Sequence, residues 1–168
     1  MRINKNIFKY ELPTSILYSR GSIKHLGEEI KKLKASKILI TTDEGLKDAG
    51  LIGIIEEELK ASDIDYIVYD QVEPNSGVKI VEEATRILKD NNCDLVLGIG
   101  GGSSMDTAKA VAAMATNKGE VMDFAGYEKI NNQPLPIVAI PTTAGTGSEV
   151  TVWAVISDKE NNIKTGIG

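Results

Sequence analysis

Cysteine and histidine are almost missing from this chain of 168 residues, which has one of each, Cys93 and His25. A single cysteine excludes an internal disulfide, and one histidine leaves too few soft ligands for a zinc or non-haem iron site of the ordinary kind. No metal ligand set is therefore expected within the chain. Both residues have plain structural roles open to them: Cys93 follows the polar pair Asn91–Asn92 just ahead of a strand, and His25 sits in a charged amphipathic stretch. Long apolar runs are also lacking. None approaches the roughly eighteen residues needed to cross a bilayer, and the opening MRINKNIFKYELP has no apolar stretch of the signal-peptide kind. Nor is there a basic excess, since 19 Lys+Arg against 24 Asp+Glu leave a formal charge of -5, the wrong sign for a generic nucleic-acid binder. These absences exclude membrane and nucleic acid as partners and leave a cytoplasmic protein as the default.

With 42% apolar and 26% charged residues, the length suits one globular domain. From Lys37 onward, short runs rich in β-branched residues alternate with stretches of helical period, the pattern of parallel strands joined by crossover helices. The expected strands are 37–42, 65–69, 95–99 and 137–140, each apolar enough for a sheet covered on both faces. Between them, 45–61 places Leu46, Ala49, Ile52, Ile55 and Leu59 three and four apart, and 76–91 does the same with Ile80, Ala84, Ile87 and Leu88, so both are expected as amphipathic helices. Ahead of the first strand, 7–19 is broken by Pro13 and reads as an extended arm or edge strand. Ser22 is placed to cap a helix reaching about Lys34.

Charge thins out in the second half. Only nine residues between Asp94 and Ile156 are charged, while half of the 16 glycines fall there, which fits a surface that is covered, by a ligand or by an interface. Within it, LVLGIGGGSSMDTAKA runs from an apolar strand through Gly98, Gly100, Gly101 and Gly102 into a helical pattern carried by Ala108, Val111, Ala112 and Ala115. Glycines let the backbone approach a ligand closely, and the unpaired amides of a helix's first turn favour an anion, so a phosphate belongs there. A strand-to-helix turn capped by Ser103 or Ser104 needs one glycine, not three in a row. The spacing is neither G-x-G-x-x-G nor G-x-x-x-x-G-K-[ST], which disfavours a P-loop NTPase. A second stretch, IPTTAGTGSEVT, crowds Thr142, Thr143, Thr146, Ser148 and Thr151 into a loop after an expected strand. Ligands bind at that end of a parallel sheet, and hydroxyls can hold a nucleotide's sugar, base edge or phosphate without a charge to desolvate. The alternative is a turn in which Thr146 or Ser148 caps a helix. Asp43, at the end of the first of these strands, either accepts bonds from both hydroxyls of an adenosine ribose, favouring NAD over NADP, or caps the helix that follows.

The two stretches GGGSSMDTAKA and IPTTAGTGSEVT, together with Pro13, Gly21–Ser22 and Leu26, resemble the iron-containing (group III) alcohol dehydrogenases over essentially the whole chain. The resemblance implies an α/β domain with a Rossmann-like parallel sheet flanked by helices, like the N-terminal domain of dehydroquinate synthase, that binds NAD(P). It implies that Asp43 holds the adenosine ribose, that Asn75 lies along the cofactor and that Gly101, Gly102 and Ser103 bind the pyrophosphate. Thr142 and Thr143 would contact the adenosine half, with Thr146 in the same loop. Thr151 and Trp153 would meet the pyrophosphate and nicotinamide side, Lys164 would reach into the cleft, and Asp106 and Ser148 match motif positions near the nicotinamide. The family's iron ligands, an aspartate and three histidines, would all lie beyond Gly168, in a helical metal-binding domain absent from this chain. A fragment is therefore expected: the nucleotide-binding half of an enzyme moving hydride between a primary alcohol or aldehyde and NAD(P), inactive alone, with a homo-oligomer formed through the 7–19 arm as a candidate assembly. Glycerol dehydrogenase and dehydroquinate synthase, which use zinc, resemble the same architecture. A non-catalytic nucleotide-binding module is the reading from a different class.

Overall fold

Each of the four β-branched runs is a strand: β1 is Lys37–Thr41, β2 Asp65–Tyr69, β3 Leu95–Gly100 and β4 Ile137–Pro141. They pair in parallel in the order β2-β1-β3-β4 in the computed structural model, which describes residues 14–168. Alternation along the strands divides the core in two. Ile38, Ile40, Leu95, Leu97 and Ile99 pack on one face with Leu26, Ile30, Ile52, Ile55 and Leu59, while Leu39 and Val96 pack on the other with Val81, Ala84, Leu88, Ala108 and Val111. Fully burying one such side chain contributes about 1.5–3 kcal/mol. The expectation that all four strands are covered on both faces is corrected here. β1 and β3 are buried almost throughout, but β2 and β4 are largely half-buried, because they are the edges of the sheet and the packed helices centre on the inner pair.

Helices α1 (Leu26–Lys32), α2 (Glu44–Asp48) and α3 (Leu51–Ala61) precede α4 (Val78–Asp90) and α5 (Gly102–Thr116). Two of the expected helices are redrawn. Ser22 does not cap a helix; it opens a 3-10 turn, Ser22–His25, behind Gly21 in the left-handed region, and α1 starts only at Leu26 and ends at Lys32. The 45–61 helix is two helices, because Gly50 turns left-handed at φ 76° and breaks it. A strand that the sequence reading passed over, β5 (Ala154–Asp158), pairs antiparallel with β6 (Ile163–Ile167), and Ala154, Ile156 and Ile167 enter the α4–α5 side of the core. This hairpin is stitched on by main-chain bonds, Ser157 N to Ser76 O at 2.9 Å and Gly126 N to Gly166 O at 2.8 Å.

Residues 14–19 are exposed and belong to no strand; residues 7–13 of the 7–19 arm, Pro13 among them, lie outside the described residues. No helix among the described residues is long and apolar enough to cross a membrane. Cys93 is buried, which pushes its thiol above the usual range, and His25 is exposed beside Glu28.

The strand order decides where a ligand belongs. The chain steps from β1 to β2 on one side and then crosses over β1 to reach β3, so the connections diverge between β1 and β3. A crevice opens outside the carboxyl ends of the strands at such a point.

Candidate functional site

β3 meets that crevice at its glycines. Gly98 has no room for a side chain, since a Cβ there would lie 2.8 Å from Ala108 Cβ and 3.1 Å from Met105 Cα. Gly100 has φ +143°, and a Cβ would come within 2.5 Å of Ser104 Oγ. These two positions let α5 leave the strand end directly and lie back against it. Gly101 and Gly102 differ: Gly101 has ordinary extended angles, and Cβ atoms on the pair would meet Thr143 Oγ1 at 3.5 Å and Thr146 Cβ at 3.6 Å, ordinary contacts. Gly101 O accepts from Met105 N, the first bond of the helix. Among the described residues, the amides of Gly101, Gly102, Ser103 and Ser104 have no acceptor, and no side chain caps the helix. Bare first-turn amides and the helix dipole together favour an anion here.

The surrounding loops bring most of the expected site residues to this point. Asn75, left-handed at φ 57°, donates its amide to Ser103 Oγ at 3.1 Å, and its Oδ1 accepts from Lys164 Nζ at 2.7 Å. An open hollow of about 220 Å3 lies between Asn75 and Lys164, beside the ion pair of Glu73 with Lys159. On the far side, Thr142 N donates to Gly100 O at 2.8 Å, which sets the loop carrying Thr142, Thr143 and Thr146 against the glycine turn with these threonines exposed. Thr146 Oγ1 bonds Glu149 at 3.1 Å and accepts from Ser148 N at 3.3 Å.

Asp43 caps α2, its Oδ1 accepting from Leu46 N at 3.0 Å. Its Oδ2 has no partner among the described residues and the residue is half exposed, so the cap does not use up the carboxylate. Nearby, Lys47 pairs with Asp70 at the end of β2, and this bond, helped by Gln71, holds the Asp70 carboxyl below the usual carboxylate range.

Asp106 and Ser148, expected near the nicotinamide, are occupied within the protein. Ser148 Oγ donates to Asp106 Oδ1 at 2.6 Å, Asp106 Oδ2 accepts from Val155 N at 3.1 Å, and Lys109 Nζ lies 2.9 Å from Asp106 Oδ1. Lys109 also donates to the carbonyls of Ser148, Thr151 and Trp153. The Trp153 side chain turns from the glycine turn onto the hairpin, over Gly166 and Gly168 and 5.7 Å from the Tyr127 ring, so only its main chain joins this network. Lys109 is the participant that motif reading missed. Its spacing of three from Asp106 within a helix was the available signal, because such pairs share one helix face.

Comparisons with known proteins agree with this fold. The model of the family described as iron-containing alcohol dehydrogenase matches residues 13–168. Choline dehydrogenase of Bacillus subtilis is 45% identical over 162 residues, 95% of this chain and 40% of that protein. The solved structure of a 1,3-propanediol oxidoreductase superposes with a TM-score of 0.92 at 33% identity, covering 96% of this chain and 42% of its own. NADH-dependent butanol dehydrogenase A from Thermotoga maritima gives a TM-score of 0.90 at 36% identity, with 96% and 41% covered. The chain thus spans about two fifths of the length of the relatives it matches.

Proposed function

The chain belongs to the iron-containing alcohol dehydrogenase family, and from that premise we propose that it is the dinucleotide-binding part of an enzyme transferring hydride between a small alcohol or aldehyde and NAD. The observation that carries this reading is the row of acceptor-free amides from Gly101 to Ser104 at the divergence of the crossovers. Such a row binds a diphosphate by charge-assisted hydrogen bonds without a basic side chain. Two of its glycines are not demanded by the fold, because a Cβ on either meets nothing closer than 3.5 Å. They leave space for a ligand between the helix start and the Thr142–Thr146 loop.

The bound nicotinamide ring supplies the hydride chemistry. This chain's residues bind and orient it. Gly101, Gly102 and Ser103 take the diphosphate, and the free oxygen of Asp43 takes the adenosine ribose. Thr142 and Thr143 lie on the adenosine side, and Thr151 with the Trp153 main chain lies toward the nicotinamide. Asn75 and Lys164, already bonded to each other beside Ser103, close the opposite wall. A carboxylate at Asp43 would repel a 2'-phosphate, which favours NAD over NADP.

The iron for which the family is named has no place among these side chains. No three or more histidine, cysteine, aspartate or glutamate side chains gather as a ligand set among the described residues, and no step is assigned to a metal here. We place the metal ligands and most substrate contacts in the part of the relatives' length that this chain does not span, and the protein in the cytoplasm. Fluorescence titration with NADH tests the reading. Saturable binding that ADP displaces is the expected result, and no binding of either by the protein at its full natural length would overturn it.

A further inference from the structure

The hairpin β5–β6 is held at its two ends by different forces. Its root is buried: Ala154, Ile156 and Ile167 enter the core, and the main chain of Gly126 bonds to Gly166 and Gly168 at 2.8 and 3.2 Å. Its tip is exposed from Lys159 to Lys164 and shaped by itself, since Asp158 Oδ1 accepts the amides of Glu160 and Asn161, each at 3.1 Å, and Asn162 turns left-handed at φ 53°. This turn presents two adjacent residues of opposite charge, Lys159 and Glu160. Each meets its opposite on the body: Lys159 pairs with Glu73, and Glu160 pairs with Lys79 of α4 at 2.9 Å. Glu73 and Lys79 stand on either side of Asn75 in the chain, and Asn75 itself bonds both Lys164 of β6 and Ser103 of the glycine turn. Outward of the main-chain bond from Ser157 N to Ser76 O, these are the polar contacts that hold the tip to the body among the described residues.

We propose that the hairpin tip is an electrostatic latch on the crevice. Closed, it keeps Lys164 on Asn75 and walls the hollow beside the glycine turn; open, it frees a path by which the dinucleotide leaves. The second half of this rests on the dinucleotide reading above. All four paired side chains are more than half exposed, and one exposed pair shifts an equilibrium by only about 1.4-fold to fivefold. Two such pairs, side by side and of opposite polarity, are enough to favour the closed register and weak enough to let it open. They are also open to screening, because the Debye length falls from about 10 Å at 0.1 M salt to about 3 Å at 1 M. The root, held by apolar burial, has no such dependence.

The test uses the protein at its full natural length and compares Glu73→Lys, Lys159→Glu and the double variant that carries both and so reverses the pair. Hydrogen exchange of the 154–163 segment without ligand reads the latch itself, and stopped-flow release of NADH reads its effect on the crevice. Each single variant sets like charges face to face, so at low salt tip exchange and NADH release are both expected to quicken about threefold to tenfold. The double variant is expected to return both to within about twofold of the unsubstituted protein, and salt at about 1 M to erase the differences. Unchanged tip exchange in both single variants, or no recovery in the double variant, would overturn the latch. Quickened exchange with unchanged NADH release would overturn its link to the crevice. Failure of the unsubstituted protein to bind NADH would instead overturn the dinucleotide reading, with hydrogen exchange still deciding whether the latch exists.

Discussion

At the scale of single residues, the glycine run divides into positions where a Cβ has no room, Gly98 and Gly100, and positions where it has, Gly101 and Gly102. In Gly102→Ala the new methyl meets Thr146 Cβ at 3.6 Å and lies in the first turn of α5. Alanine is the better helix former by about 1 kcal/mol. Thermal unfolding is therefore expected to show stability unchanged or slightly raised, while NADH affinity falls at least about tenfold because the methyl occupies the diphosphate's approach. A destabilised variant with intact binding would contradict this division. Asp43 admits a similar separation, because it both caps α2 and presents a free oxygen. Replacing an N-cap aspartate by glycine costs only a few tenths of a kcal/mol. Asp43→Gly should thus keep its melting temperature within about a degree or two while losing preference for NAD over NADP, read from the two affinities; an unchanged preference removes the ribose role.

At the scale of elements, the contact between β3 and α5 decides the site, since the helix must start where the strand stops. Gly98→Val would drive a branched side chain into Ala108 and the Met105 backbone, and overpacking of this kind costs about 1–3 kcal/mol or more. Chemical denaturation should show that loss, together with weaker NADH binding, because α5 can relieve the clash only by moving its amides. A second element-level link is Lys47 of α2 with Asp70 at the end of β2. The fold lowers the Asp70 pKa, chiefly through its bond from Lys47. Its contribution is therefore present above the unfolded carboxyl's pKa, near 3.9, and is lost as pH falls through the lower folded value. Asp70→Asn should melt less steeply with acid than the unsubstituted chain in that window and differ from it by a constant amount at neutral pH, as followed by thermal melts from pH 2 to 7.

At the scale of the whole molecule, the chain spans about two fifths of its relatives, and its described residues hold no metal ligand set. The 168-residue chain by itself is expected to show no turnover of a primary alcohol with NAD; measurable turnover would remove the division of labour proposed above. Much of this was legible in residues alone. The four parallel strands could be read because a buried strand needs a near-continuous β-branched run, and the glycine turn because a helix lying back against the strand it leaves has no room for a Cβ at Gly98 or Gly100. Less visible were the break at Gly50, where one left-handed residue ends an unbroken apolar period, and β5, whose alternation is hidden behind the hydroxyl loop. The occupation of Asp106 and Ser148 was not legible either, because a polar side chain beside a ligand and one tied to a distant loop look alike in sequence. The sequence by itself determined the class of sheet and the family, since these follow from local periodicity and from two long motifs in fixed order. Only the tertiary structure decided that Lys109 fastens a segment some forty residues away, because such contacts depend on how the chain closes on itself and leave no local pattern.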